Sequence, residues 1–202
     1  MLVIGLTGGI GSGKSSVSAR LQARGAEIID ADAIVHEIQK PGGRAYQGIV
    51  DRFGPEIVRA DGTLDRPALA KIVFDDAEAR RELERLTFPH VGAVIGERMA
   101  ALAETDKVVV LDIPLMAEGG KGRYGAAATL VVDCPPETAV ERVVADRGMD
   151  ADDARSRQAA QAPRGKRLEI ADFVIDNSGD LDQLEAEVDS AWTWIQSLPP
   201  PT

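Results

Sequence analysis

The sequence predicts an α/β fold in which a five-stranded parallel sheet is flanked by helices. Short apolar, β-prone runs alternate with helical patterns along the chain, and this alternation is typical of parallel sheets. A glycine-rich loop also joins the first predicted strand to the first predicted helix. With 202 residues and 44% hydrophobic content, the chain is long enough for one globular domain with a single core.

The first predicted strand, Leu2 to Thr7, is followed by a helical pattern from Lys14 to Arg24. Between them, GGIGSGKS at 8 to 15 matches every position of the phosphate-binding pattern GxxxxGK[ST]. The loop has four glycines, Gly8, Gly9, Gly11 and Gly13. They let the backbone turn tightly and point its N–H groups inward, where the helix dipole adds positive potential. The loop therefore predicts a polyphosphate site.

The polar residues of this loop have expected roles. Lys14 is expected to reach the β- and γ-phosphates, and the Ser15 hydroxyl to ligate a Mg²⁺ that bridges them. Ser16 is a weaker candidate, for the α-phosphate. The competing dinucleotide fingerprint GxGxxG does not fit, because its last position falls on Lys14 when it starts at Gly9 and on Ser16 when it starts at Gly11.

The second predicted strand, Ala26 to Ile29, leads into Asp30 and Asp32 and then a helix from Ala33 to Gln39. Ligands of open α/β sheets bind at the carboxyl ends of the strands. Either aspartate is therefore a candidate base beside the γ-phosphate, if this strand lies close to the first. The alternative is that one of them only caps the helix.

Residues 40 to 106 read as mainly helical and predict an inserted subdomain. Three helices are predicted there: Arg44 to Phe53, one capped by Asp65, and Glu78 to Ala103 with an interruption at Pro89. We interpret His36 and His90 as surface or helix-packing histidines rather than catalytic groups.

The third predicted strand, Lys107 to Ile113, carries Asp112 near its end. This is the place of a Walker B carboxylate that orients Mg²⁺, directly or through water. Pro114 stands nearby rather than a water-activating glutamate, so transfer is favoured over hydrolysis. Two further strands and a final amphipathic helix complete the pattern: Ala128 to Asp133, Asp172 to Asp176, and Leu181 to Leu198.

From Arg142 to Arg167, seven basic side chains stand against four acidic ones; the basic residues are Arg142, Arg147, Arg155, Arg157, Arg164, Lys166 and Arg167. They are predicted to lie in two helices split by Gly148. This pattern is typical of a hinged lid that closes over phosphates and supplies arginines to the transition state. The alternative is a solvated helical face.

Composition limits the partners and the location. There are 23 basic and 33 acidic residues, a net charge of −10, which disfavours nucleic acid as a partner. No apolar run has the length of a membrane span, so no membrane partner is expected. The only cysteine, Cys134, excludes an internal disulfide and favours a reducing, cytoplasmic location. We expect a monomer or a weak oligomer.

These motifs resemble the dephospho-coenzyme A kinase family nearly from end to end. The resemblance is carried by six segments: IGLTGGIGSGKS at the start, IIDAD at 28 to 32, DGTLDRPAL at 61 to 69, DIPLMAE at 112 to 118, RQAAQ at 157 to 161, and ADFVIDNSG at 171 to 179. It implies transfer of the ATP γ-phosphate to the ribose 3′-hydroxyl of dephospho-coenzyme A, the last step of coenzyme A synthesis.

The resemblance also implies an architecture and a set of site residues. It implies a P-loop NTPase fold of the nucleoside-kinase type, with a nucleotide-binding core at 1–32, 107–135 and 168–198, a helical substrate subdomain at 33–106, and a lid at 136–167. Asp32 resembles the catalytic aspartate and Arg142 the lid arginine close to the transferred phosphate. Gly11 to Ser16, including Ser12, resemble the ATP-phosphate loop, and Asn177 in the last matching segment is expected to bind nucleotide.

Two other functions remain open at this point. Another small-molecule or nucleoside kinase would share the phosphate machinery and differ in its acceptor pocket. A GTP-dependent switch protein would need a guanine-reading [NT]KxD motif after a late strand, where this chain has DNSG at 176 to 179.

Overall fold

The computed structural model describes residues 1–114 and 125–199, with residue 75 described by its backbone only. The strands are β1 (Leu2–Gly8), β2 (Glu27–Asp30), β3 (Val108–Asp112), β4 (Ala128–Asp133) and β5 (Phe173–Asp176). They form one sheet in the order β2-β3-β1-β4-β5, in which β1 pairs in parallel with β3 and β4, and β4 with β5. The predicted five-stranded parallel sheet is confirmed. Residues 115–118 of the DIPLMAE segment lie outside the described residues.

The helices of the described residues connect these strands, and the last helix follows β5. They are α1 (Lys14–Ala23), α2 (Ala31–Ile38), α3 (Tyr46–Phe53), α4 (Arg66–Asp75), α5 (Ala77–Leu102), α6 (Pro136–Arg147), α7 (Ala151–Ala159), α8 (Arg164–Glu169) and α9 (Leu181–Ser197). A short 3-10 turn, Pro55–Ile57, follows α3. None of the described helices combines the length and the apolar character that a membrane crossing requires.

The described residues of 1–29 and 102–199 form one compact unit, which contains the sheet apart from the last residue of β2. Its core is apolar because the central strands are buried on both faces, as parallel strands with helices on either side must be. Fully buried residues of the sheet pack with others from α1 and α9: Ile4, Leu6, Leu130 and Ile175 with Val17, Leu21, Val188 and Ile195. Trp192 and Trp194 are both partly buried against this core.

Residues 30–101 form a second compact unit, which is helical. Asp65 caps α4 as predicted, since its carboxylate accepts a hydrogen bond from Ala68 N at 3.1 Å. The predicted interruption at Pro89 is wrong, because α5 continues through it. Pro89 removes only one backbone donor, and buried residues on both sides of it, Thr87, Val91, Val94 and Ile95, hold the helix in register.

The segment predicted as a lid contains three helices, so the prediction of two is wrong. Gly148 ends α6 in a left-handed conformation, with φ of 60°, at the predicted place. The remainder divides again at residues 160–163, between α7 and α8. Pro163 stands immediately before α8, where its fixed φ and missing N–H suit a helix start and break the preceding helix.

Candidate active site

The glycine-rich loop connects β1 directly to the first turn of α1. Gly11 and Gly13 have φ of 73° and 86°, a left-handed conformation that favours glycine. A Cβ on Gly11 would collide with the Ala139 carbonyl oxygen, so the chain packs too closely there for a side chain. Ser12 N donates to Gly9 O at 3.0 Å and closes the turn. The loop thus ends at the amino terminus of a helix, which favours an anionic ligand.

Lys14 and Asp112, two residues predicted to act on the phosphates and the metal, lie together. Lys14 Nζ donates a hydrogen bond to Asp112 Oδ1, at the carboxyl end of β3. Their side chains are 15% and 4% exposed, so water screens this ion pair little. Ser15 and Ser16 lie in the first turn of α1, and both are exposed to solvent.

Asn177 supports the loop from the end of β5. It is 6% exposed, and its Nδ2 donates to Ser12 O at 2.7 Å. The same residue's carbonyl oxygen accepts a hydrogen bond from Arg142 Nη1 at 2.7 Å, and Gly179 O lies 3.4 Å from Arg142 Nη2. The side chain of Asn177 is therefore bonded to the loop itself. The expected contacts of Asn177 and Arg142 with nucleotide stay predictions.

The two aspartates at the carboxyl end of β2, Asp30 in the strand and Asp32 just beyond it, have different environments. Asp30 Oδ1 accepts hydrogen bonds from Asp32 N at 2.8 Å and Ala33 N at 3.1 Å, which makes Asp30 the cap of α2. Asp32 is exposed in the first turn of that helix. The structure thus identifies the capping residue of the pair, and the role of Asp32 as a base stays a prediction.

A second ion pair joins α8 to the sheet. Arg164 Nε lies 3.0 Å from both carboxylate oxygens of Asp133, and Arg164 Nη2 donates to Asp133 Oδ2 at 2.6 Å. Hydrogen bonding to this carboxylate raises the pKa of Arg164 above its usual value. Burial raises the pKa of the neighbouring Cys134 thiol, because the thiolate is poorly solvated there.

A cavity of about 240 Å³ opens beside these residues, between the glycine-rich loop and the helices α6 to α8. Its lining includes Gly9, Ile10, Asp133, Arg164 and Arg167. The loop and three arginines of residues 136–167, namely Arg155, Arg164 and Arg167, therefore share one concave surface. Such a surface suits an anionic ligand, although Asp133 neutralises Arg164 in the structure described.

Two contacting residues here, Ile10 and Gln161, were not singled out by the sequence reasoning. Ile10 N donates to Gln161 Oε1 at 2.9 Å, and the guanidinium of Arg167 lies against Gly9. Gln161 belongs to the RQAAQ segment, which was noticed only as a pattern. A side chain that binds a backbone group leaves no pairing pattern in one sequence, so this contact had no sequence signal.

The two histidines lie where the sequence places surface or packing residues. His36 on α2 is exposed, and His90 on α5 is partly exposed.

Comparisons with known proteins identify close relatives of the chain. The family model described as dephospho-CoA kinase matches residues 2–183. A dephospho-CoA kinase of Ralstonia nicotianae is 46% identical over 195 residues, which cover 94% of this chain and 96% of that protein.

Solved structures give the same result at the level of the fold. The crystal structure of TT1252 from Thermus thermophilus has a TM-score of 0.81 at 36% identity, covering 96% of this chain and 97% of that one. The dephospho-CoA kinase from Campylobacter jejuni has a TM-score of 0.71 at 27% identity, with 96% of each chain covered.

Proposed function

Because the chain belongs to the dephospho-CoA kinase family, it phosphorylates dephospho-CoA with ATP, and we propose that Lys14 and Asp32 are central to this transfer. The observation that carries the proposal is the loop from Gly8 to Ser15, which turns through two left-handed glycines into the start of α1. Its backbone N–H groups and the dipole of α1 favour the phosphates of ATP. The product is coenzyme A.

Lys14 supplies the positive charge of this site. It follows the last glycine of the loop and opens α1, and its ammonium group lies at the carboxyl end of β3 beside Asp112. Phosphoryl transfer spreads negative charge over the oxygens of the γ-phosphate. A cation held at this position by a buried carboxylate is already oriented for that charge, so little reorganisation is needed during the reaction.

Asp32 is proposed as the base that accepts the proton of the ribose 3′-hydroxyl. The hydroxyl is a poor nucleophile near neutral pH, and a carboxylate that orients it and takes its proton assists attack on the γ-phosphorus. Asp32 is exposed two residues beyond the end of β2, whereas the Asp30 carboxylate already binds two backbone N–H groups. This difference favours Asp32, as does the family resemblance.

Mg²⁺ is proposed as the metal of the reaction. The residues available to it are the hydroxyl of Ser15 and the carboxylate of Asp112, and these hard oxygen donors suit Mg²⁺ with water and phosphate oxygens as its other ligands. When bound, the ion would neutralise charge on the β- and γ-phosphates. Residues 33–106 are proposed as the substrate subdomain and residues 136–167 as the lid. A cytoplasmic location is proposed from the composition.

A coupled assay with ATP, Mg²⁺ and dephospho-CoA tests the function. We expect ADP release that requires dephospho-CoA, together with formation of coenzyme A detected by mass. Adenosine and other nucleosides serve as alternative acceptors, and GTP as an alternative donor. Preferred phosphorylation of another acceptor would indicate a different small-molecule kinase, and slow GTP hydrolysis without an acceptor would indicate a switch protein.

A matched pair of substitutions tests the proposed base. Asp32→Asn keeps the shape of the side chain and loses its basicity, so kcat should fall by roughly 10²- to 10⁴-fold with little change in ATP affinity. Asp30→Asn keeps an oxygen that can cap α2, so it should have a much smaller effect. The assignment is wrong if Asp30→Asn abolishes turnover and Asp32→Asn preserves it, with both variants folded and binding ATP.

A further inference from the structure

Ile10 joins the phosphate loop to the lid through both its side chain and its backbone. The side chain packs against a small apolar cluster formed by Val140 and Val143 of α6 and Ala154 of α7. The backbone N–H donates to Gln161 Oε1 at 2.9 Å. One residue of the loop is therefore held by the lid at two points.

Gln161 lies in the connection of residues 160–163 between α7 and α8, a few residues before the arginines of α8. Because this connection is short, anchoring Gln161 restricts where α8 begins. Arg167 extends from α8 back towards the same connection, and its Nη1 donates to Ala162 O at 2.5 Å. The anchor at Gln161 and the position of the Arg167 guanidinium are thus mechanically linked.

The guanidinium of Arg167 lies directly against the loop. A Cβ on Gly9 would lie 2.8 Å from Arg167 Nη2 and 3.0 Å from Cζ, so the absence of a side chain at Gly9 makes room for it. Arg164 differs, since its guanidinium is paired with Asp133. Within residues 1–114 and 125–199, Arg167 makes no ion pair with a carboxylate, which leaves its charge for an anion at the loop.

We propose that Gln161 is a positioning residue for phosphoryl transfer, which binds Ile10 N–H and thereby keeps the Arg167 guanidinium over Gly9. The inference rests on the proposed function, because it assigns the transferring phosphoryl group as the anion that Arg167 faces. Such a residue contributes more to the transition state than to ATP binding, since charge on the phosphoryl oxygens changes during transfer.

Hydrogen exchange of the Ile10 amide tests the contact independently of activity. Gln161→Met keeps the length of the side chain and removes the acceptor oxygen, so the Ile10 amide should exchange about tenfold faster in the protein without nucleotide. Gln158→Met is the matched control. Gln158 lies three residues earlier and donates to Pro136 O at 3.2 Å, and its loss should leave Ile10 exchange unchanged. Unchanged exchange in the Gln161→Met variant would overturn the contact.

Kinetics then test the positioning role. Gln161→Met should lower kcat for dephospho-CoA by about 10- to 100-fold while the KM for ATP changes less than about twofold. If Gln161 had only a structural role, Gln161→Met would lower the free energy of unfolding or would change kcat and the KM for ATP together. Gly9→Ala should lower kcat as well, because the added methyl displaces the guanidinium of Arg167 and leaves the helices of the lid intact.

A double-mutant cycle with Arg167→Ala decides whether Gln161 acts through Arg167. If it does, adding Gln161→Met to the Arg167→Ala variant should lower kcat by less than about twofold further. If the two substitutions instead lower kcat independently, so that their fold-losses multiply in the double variant, the inference is overturned. A wild-type protein that does not phosphorylate dephospho-CoA would refute the proposed function instead. The hydrogen-exchange result would still test the contact between Gln161 and the Ile10 amide, because it does not depend on activity.

Discussion

Asn177 offers the sharpest test of how the sheet supports the phosphate loop. Its buried Nδ2 donates to Ser12 O at 2.7 Å, immediately before the left-handed Gly13 that starts α1. A Cβ on Gly13 would collide with this nitrogen, so the amide fills the space under the turn. Asn177→Ala removes both the donor and this packing.

The expected magnitude follows from these contacts. A buried acceptor that loses its partner costs about 1–3 kcal/mol, so Asn177→Ala should lower the free energy of unfolding by that amount. For a chain of this size, each kcal/mol corresponds to a decrease of about 2–4 °C in Tm. If the loop must regain its order when ATP binds, the same free energy weakens ATP affinity by about 5- to 150-fold.

Asn177→Asp separates loss of the donor from loss of volume. It keeps the size of the side chain but presents a carboxylate oxygen to the Ser12 carbonyl, so at neutral pH it should be at least as damaging as Asn177→Ala. Ser178→Ala is the control, because Ser178 is the exposed neighbour on the same turn.

Chemical denaturation and calorimetric titration with ATP provide the two measurements. We expect both Asn177 variants to lose stability and ATP affinity, and the Ser178 variant to match the wild type. If Asn177→Ala lowers the free energy of unfolding but leaves the Kd for ATP within about twofold of the wild type, the side chain serves only the fold and the reasoning fails.

Three further predictions concern single residues. Lys14→Ala should lower kcat/KM for ATP by at least about 10³-fold with an unchanged circular dichroism spectrum, and near-normal turnover would refute the loop assignment. Arg142→Ala should lower kcat more than ATP affinity, as measured by turnover and calorimetry, and equal losses would make it a ground-state binding residue. Burial raises the pKa of the Cys134 thiol, so at about pH 8 this thiol should react with iodoacetamide at least about tenfold more slowly than in the unfolded protein. Equal rates of reaction would contradict the burial of Cys134.

The fold was predictable because its main signals are local. The apolar runs of β1, β3 and β4 are long enough to require burial on both faces, and the glycine loop has the spacing of its motif. Helix starts with an obvious cap were also placed correctly, as at Asp65. The errors came at prolines, because a proline can lie within a helix or mark a helix boundary. Pro89 lies inside a continuous helix, and Pro163 stands immediately before a new one.

The sequence by itself determined where the phosphate-binding motif lies, because a P-loop is a contiguous stretch whose chemistry depends on residue type and spacing. Only the tertiary structure decided which of Asp30 and Asp32 caps α2, that Lys14 meets Asp112, and that Asn177 lies under Ser12. The last two contacts join residues 98 and 165 positions apart. The physical reason is that their geometry depends on strand order and on buried backbone acceptors, and a single sequence encodes neither in its local pattern.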